Sequence, residues 1–291
     1  MSDLTALLFV LLQKTIPKAL LTAVVFRLAR IRNTRVKNFF IRQFVNFYKV
    51  DIEEVLLPVP DGFVTFNDFF IRELEHDARS IDSNSDVIVS PVDGTVSAAG
   101  VLEKDSIIQA KGLRYSMTDL LATDTQEAQS YINGAFATIY LAPYNYHRVH
   151  APLAGKLVAA RYVPGDLFSV NEATVAHLPG LFVRNERLIC HLLTDTGPMV
   201  LIFVGAMNVG SISTIWTGDI KPRTYGVAEQ INLADVDGEL SFSKGDNIGW
   251  FNMGSTVILL MPAECTNNFA DLAHGQTVRV GEVIGRMAPR P

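Results

Sequence analysis

The hydrophobic rhythm of the chain changes near residue 50. Before that point Leu4–Leu12 and Ala19–Val25 are apolar runs separated by Lys14, Pro17 and Lys18, and each is too short to span a bilayer as a helix. From Ala19 to Val45 the apolar residues Leu20, Val24, Leu28 and Ile31 recur near helical spacing, while Arg27, Arg30, Arg35, Lys37 and Arg42 fill other positions. This pattern predicts an amphipathic helical region over 1–50 lying in a membrane interface. Its apolar face would sit among acyl chains, and each basic residue would gain about 1 kcal/mol near an anionic leaflet. Helices that merely pack on the protein are one alternative. A signal peptide is another, but the small-residue cleavage site it needs is missing.

After Asp51 the texture turns to short apolar runs punctuated by Gly and Pro: Val87–Val89, Phe136–Leu141, Lys156–Tyr162, Leu188–Leu193, Val200–Val204 and Val257–Leu260. One short helix is expected near Met117–Ala122. The fold class is therefore α+β, with N-terminal helices followed by a mostly β body over 51–291, a sandwich or partly closed barrel. Three pieces, Ser90–Val96, Ala151–Leu157 and the Gly275–Gly285 stretch, each put Gly in a turn that feeds a strand. That texture is also found in lipoyl- and biotinyl-type barrels.

Charge sharpens the division. Residues 1–50 carry nine Lys or Arg against the single acid Asp3, although the whole chain has a net charge of −5. A cationic head on an acidic body calls for an anionic partner. Cys190 and Cys265 are the only cysteines, which leaves no disulfide framework and fits a reducing, cytoplasm-facing location.

The candidate chemistry centres on Gly249-Trp-Phe-Asn-Met-Gly-Ser-Thr256, which runs into the strand at Val257. Gly254 has no Cβ to shield its carbonyl and tolerates backbone angles closed to other residues, so a strained peptide there is open to attack by the Ser255 hydroxyl. The resulting ester can undergo β-elimination, leaving dehydroalanine, which tautomerises and hydrolyses to a pyruvoyl group with loss of ammonia. Such a hydroxyl needs a base, and Tyr144-Asn-Tyr-His-Arg-Val-His150 offers His147 and His150. A zinc site there lacks an evident third ligand. Asp93, in Ser90-Pro-Val-Asp-Gly94, reads by itself as a turn residue.

Several blocks together resemble one family, the bacterial short-form phosphatidylserine decarboxylases. They are Phe69-Phe-Ile-Arg-Glu-Leu74, Ser90-Pro-Val-Asp-Gly-Thr95, His147-Arg-Val-His150, Pro164-Gly-Asp-Leu-Phe-Ser-Val-Asn171, Asn185-Glu-Arg187, Val204-Gly-Ala206 with Val209-Gly-Ser211, and Lys244-Gly-Asp-Asn-Ile-Gly249 leading to Gly254-Ser-Thr256. The resemblance implies that the chain cuts itself between Gly254 and Ser255 into a β chain, 1–254, and an α chain, 255–291. It implies that Ser255 becomes the pyruvoyl cofactor, that Asp93 and His150 complete the self-cleavage triad, and that His147 serves decarboxylation. Met253, Ser80, Ala151 and Ala154 depart from the family's commonest residues. The Met253 departure is nearly volume-conserving.

The implied reaction passes through a Schiff base between the substrate amine and the pyruvoyl carbonyl, which takes up the electrons left by CO2; His147 would return a proton to the former α-carbon. The implied substrate is phosphatidylserine, the product phosphatidylethanolamine, and the setting the cytoplasmic side of the inner membrane, with associated α and β chains, in a homodimer. Two rivals remain at this stage. An uncut hydrolase of Ser255, His150 and Asp93 lacks a G-x-S-x-G elbow. A non-enzymatic carrier modified at Lys156 lacks the flanking Met or Asp.

Overall fold

The computed structural model describes residues 3–288 apart from 124, 208–210, 236–237, 267–268 and 270. Three helices lead: α1 (Asp3–Thr15), α2 (Lys18–Ala29) and α3 (Thr34–Tyr48). The helical spacing expected from Ala19 to Val45 is interrupted at residues 30–33. The reason is local, because the Asn33 side chain accepts from the backbone N–H of Arg35 and Val36 and so starts a new helix. No single helix among the described residues is long and apolar enough to cross a membrane.

The outer faces of these helices are apolar, with Leu4, Leu7, Leu8, Leu11, Leu20, Val24, Leu28, Phe39 and Phe47 exposed. Arg27, Arg35 and Arg42 are exposed beside them. Two of the basic residues read as facing a membrane turn inward instead. Lys37 is buried and donates to the Pro60 carbonyl at 2.9 Å, and Arg30 pairs with Asp219 at 3.2 Å. The inner face of α3 meets the short helix α4 (Phe66–Phe70), whose capping box is formed by Thr65 and Asp68. There Phe44 stands edge-on to Phe66 and Phe70 at 5.2 and 5.9 Å between ring centroids. Helix α1 is tied to the body by Gln13, which donates to Thr174 and accepts from the Ser169 N–H.

The body is mostly strand, with no closed barrel among the described residues. A large antiparallel sheet runs in the order Glu229–Gln230, Gly155–Val163, Arg187–Thr194, Gly197–Val204, Ser255–Met261, Ala135–Leu141, Gly94–Val101, Thr277–Val278. Its centre is Ser255–Met261, all seven residues of which are buried. A strand this apolar, without alternation, belongs where both faces of a sheet are covered. One face carries Leu141, Phe203, Leu188 and Val257; the other carries Phe136, Ile202, Ile258 and the helix Glu172–His177. Over the first face lies a four-stranded sheet ordered Gly218–Ile220, Ile212–Thr214, Asn247–Phe251, Arg148–His150, with Phe251 against Phe203 at 5.3 Å. Of the three look-alike pieces, the first and third pair with each other, Thr95 with Thr277 and Gly94 with Val278.

Candidate active site

The candidate site forms where the four-stranded sheet hands the chain to the centre of the large one. Asn247–Phe251 pairs with Ile212–Thr214 on one side and with Arg148–His150 on the other. Gly249 is required at this crossing, since a Cβ there would stand 2.3 Å from the Ser213 carbonyl oxygen. The turn that follows is pinned by Asn252. Its buried amide nitrogen donates to the hydroxyls of Ser211 and Ser213 at 2.7 Å each, and its oxygen accepts from Asn67 of α4 at 2.9 Å. Val209 and Gly210, part of the sequence block that ends at Ser211, lie outside the described residues.

Between Asn252 and Ser255 the backbone is unusual. Met253 has φ 141 and Gly254 has φ 36, and for a residue with a Cβ the former costs on the order of 1–3 kcal/mol. The Met253 side chain packs against the aromatic cluster of α3 and α4. Ser255 then opens the central strand opposite Leu141. It is fully buried, and its Oγ has no hydrogen-bond partner among the described residues, an unusual state for a buried hydroxyl.

His147 arrives on the loop leaving Ala135–Leu141. Its carbonyl accepts from the Phe251 N–H at 3.1 Å, which fastens it to the Ser255 segment. Nδ1 donates to the Asn145 carbonyl at 2.8 Å and Nε2 has no partner among the described residues, while the Phe70 ring centroid lies 4.1 Å away. Burial pushes His147 down to about 3, only partly opposed by the bond to Asn145, so the ring is neutral at physiological pH. His150 is also lowered, chiefly by burial. Its Nδ1 donates to the Gly245 carbonyl at 2.7 Å, which leaves Nε2 to accept from the Tyr146 hydroxyl at 3.0 Å.

Asp93 occupies the turn before Gly94–Val101. Arg79 grips it in a two-point ion pair, Nε to Oδ1 at 2.9 Å and Nη2 to Oδ2 at 2.5 Å, and the Val280 N–H adds a third bond. Arg79 also reaches Glu54. The backbone brings the segments together, because the His150 N–H donates to the Pro91 carbonyl at 2.8 Å and Asn247 pairs with His150. The side chains of Asp93, His150 and Ser255 are not hydrogen-bonded to one another: each of the first two has other partners, and the third has none.

Sequence reasoning missed Asn252, Arg79 and Tyr146. Asn252 lies inside the very block that was singled out, and a polar residue in so apolar a stretch was the available signal. Arg79 had none, because its partner Asp93 is fourteen residues away across a loop. Among the described residues no group of three or more His, Cys, Asp or Glu side chains is arranged to hold a metal ion.

A family model described as phosphatidylserine decarboxylase matches residues 66–286, and one described as PSD matches 8–49. The phosphatidylserine decarboxylase proenzyme of Saccharophagus degradans is 43% identical over 280 residues, covering 96% of this chain and 97% of the relative. That of Psychrobacter arcticus is 43% identical over 277 residues, covering 95% and 97%, and that of Methylococcus capsulatus is 42% identical over 286 residues, covering 98% of each.

Proposed function

We propose, because the chain belongs to the phosphatidylserine decarboxylase family, that it converts phosphatidylserine to phosphatidylethanolamine and CO2 with a pyruvoyl group made from its own Ser255. The observation that carries this reading is Ser255 itself: buried, unpartnered at Oγ, and preceded by Met253 and Gly254 at positive φ. Strain in the preceding peptide raises the ground state of the bond that must break. Gly254 has no Cβ beside its carbonyl and holds a φ that other residues rarely adopt.

In self-cleavage His150 acts as the base and Asp93 as its electrostatic support. The His150 ring is neutral and its Nε2 already serves as an acceptor, for Tyr146. It takes the Ser255 proton when that hydroxyl replaces Tyr146 as donor. Asp93, with Arg79 holding its position, favours the imidazolium so formed.

When formed, the pyruvoyl group supplies a sink for the electron pair left by departing CO2. His147 then handles the proton. Its buried Nε2, unpartnered among the described residues, belongs to a ring packed on Phe70, and the arrival of an anionic head group opposes the burial that holds that ring neutral. The exposed apolar and arginine-bearing helices support binding at the cytoplasmic surface of the inner membrane, where the lipid head group lies. The same reading has the two fragments stay associated after cutting, in a homodimer.

A denaturing gel with intact mass analysis tests the reading. Wild type gives fragments ending at Gly254 and beginning at a blocked residue 255, while Ser255→Ala remains one chain and His150→Ala is cut slowly or not at all. A wild-type protein that stays at 32.0 kDa with an intact serine and no decarboxylase activity refutes it.

A further inference from the structure

The large sheet places one carboxyl group on the Ser255 side that the reaction above leaves unused. Thr256 lies opposite Val204, and Val204 opposite Arg187. Continuing both registers by one residue puts Ser255, Gly205 and Glu186 in a row across three strands, and the Gly205 N–H does donate to the Glu186 carbonyl at 2.9 Å. Residues in such a row point to the same face. The next row on that face, Val257, Phe203 and Leu188, belongs to one apolar cluster, which fixes the direction in which Ser255 and Glu186 point.

Gly205 separates them and has no side chain to intervene. A Cβ built there would lie 2.7 Å from both Cγ and Oε1 of Glu186, so the glutamate leans over the glycine toward the Ser255 strand. With strands about 4.8 Å apart, the Ser255 and Glu186 backbones are about 10 Å apart, and the leaning side chain covers much of that gap. Oε2 accepts from the Tyr162 hydroxyl at 2.7 Å, which holds the carboxyl in place. Among the described residues Oε1 has no partner, and neither has Ser255 Oγ. Two buried oxygens without partners, in one row on one face of the sheet, need an explanation.

We propose that Glu186 is the acid that protonates the β-carbon of residue 255 once cleavage has left that residue as an enamine. The inference rests on the self-cleavage reading above. β-Elimination passes the α-proton of residue 255 to His150, turns its electron pair into the Cα=Cβ bond as the bond between the ester oxygen and Cβ breaks, releases Gly254 as a carboxylate, and leaves an amino group and a methylene on the α-carbon of residue 255. The π electrons then form a C–H bond from Cβ to the Glu186 proton while the nitrogen lone pair forms C=N. Water adds to the α-carbon, ammonia departs, and the surplus proton of that water returns to the Glu186 carboxylate. Enamine and water thus become keto group and ammonia, with Glu186 regenerated. Burial pushes Glu186 up to about 7, which keeps the acid form available at neutral pH.

The test follows purified full-length wild type, Glu186→Gln and Glu186→Asp from first synthesis. A denaturing gel reads cutting, and an aminooxy probe with intact mass reads the keto group on the small fragment. Cutting in Glu186→Gln is expected within a few-fold of wild type, with keto formation slower by about a hundredfold or more; Glu186→Asp, which keeps the acid, regains part of the rate. A Glu186→Gln chain that acquires the keto group as fast as it is cut overturns the role of Glu186 and leaves the cleavage reading intact. So does one that folds but is not cut. Wild type that is never cut overturns both.

Discussion

Replacing Glu186 by Gln should change the pH dependence of folding by an amount the structure sets. The side chain is buried, and its one hydrogen bond comes from Tyr162, whose own ionisation is pushed up by burial and by Glu186. Burial raises the carboxyl from its ordinary 4.5 to about 7. In the unfolded chain it ionises near the ordinary value, whereas the folded chain keeps the proton. Between the two values the folded state therefore binds more protons, and stability falls as pH rises. The contribution is fully present below 4.5 and lost by the time pH has passed about 7, and a shift of this size corresponds to about 3 kcal/mol. Gln keeps an oxygen for Tyr162 and has no charge to bury. Chains carrying Ser255→Ala, with and without Glu186→Gln, avoid cutting and can be unfolded in guanidinium at pH 5 and pH 8. The glutamate chain should lose about 3 kcal/mol more than the glutamine chain between those pH values. Parallel pH profiles for the two chains would show that Glu186 is not held neutral by its surroundings.

Three further outcomes follow from other parts of the site. Asn252→Ala leaves Ser211, Ser213 and Asn67 without their shared partner, so it should cost roughly 2–3 kcal/mol in unfolding experiments and slow the appearance of the small fragment. Arg79→Ala strands the largely buried Asp93 carboxylate, with an expected loss of roughly 3 kcal/mol that Arg79→Lys only partly recovers, because a lysine cannot make the two-point grip. His147→Ala should be cut at close to the wild-type rate while losing decarboxylation of phosphatidylserine in detergent micelles by at least about a hundredfold. In the Ser255→Ala precursor, the His147 ring signals should show no titration between pH 5 and 8 by NMR, since burial holds that ring neutral.

Much of the architecture was legible from local pattern alone. The change near residue 50 from helical spacing to short apolar runs foretold helices followed by strands, because the period of apolar residues determines which face each element can bury. The run Val257–Leu260 marked a strand, and the Gly254–Ser255 junction with two nearby histidines marked a candidate site; that both faces of the strand are covered was decided by the sheet. Local pattern left the helix break at Asn33 unread, since one capping side chain outweighed continuous apolar spacing. It also assigned Lys37 to a membrane, whereas the Pro60 carbonyl, more than twenty residues away, draws it inside.

What tertiary structure alone decided are relations between residues far apart in the chain. Arg79 holds Asp93 and Tyr146 holds His150, so these two groups rest on other partners rather than on Ser255. Glu186 comes into the same row as Ser255 because two strand registers align, with a glycine between them where any larger residue would collide. Periodicity records which way a side chain points along its own strand. Which neighbour it then meets depends on pairing and register, and those are set by the packing of the whole sheet.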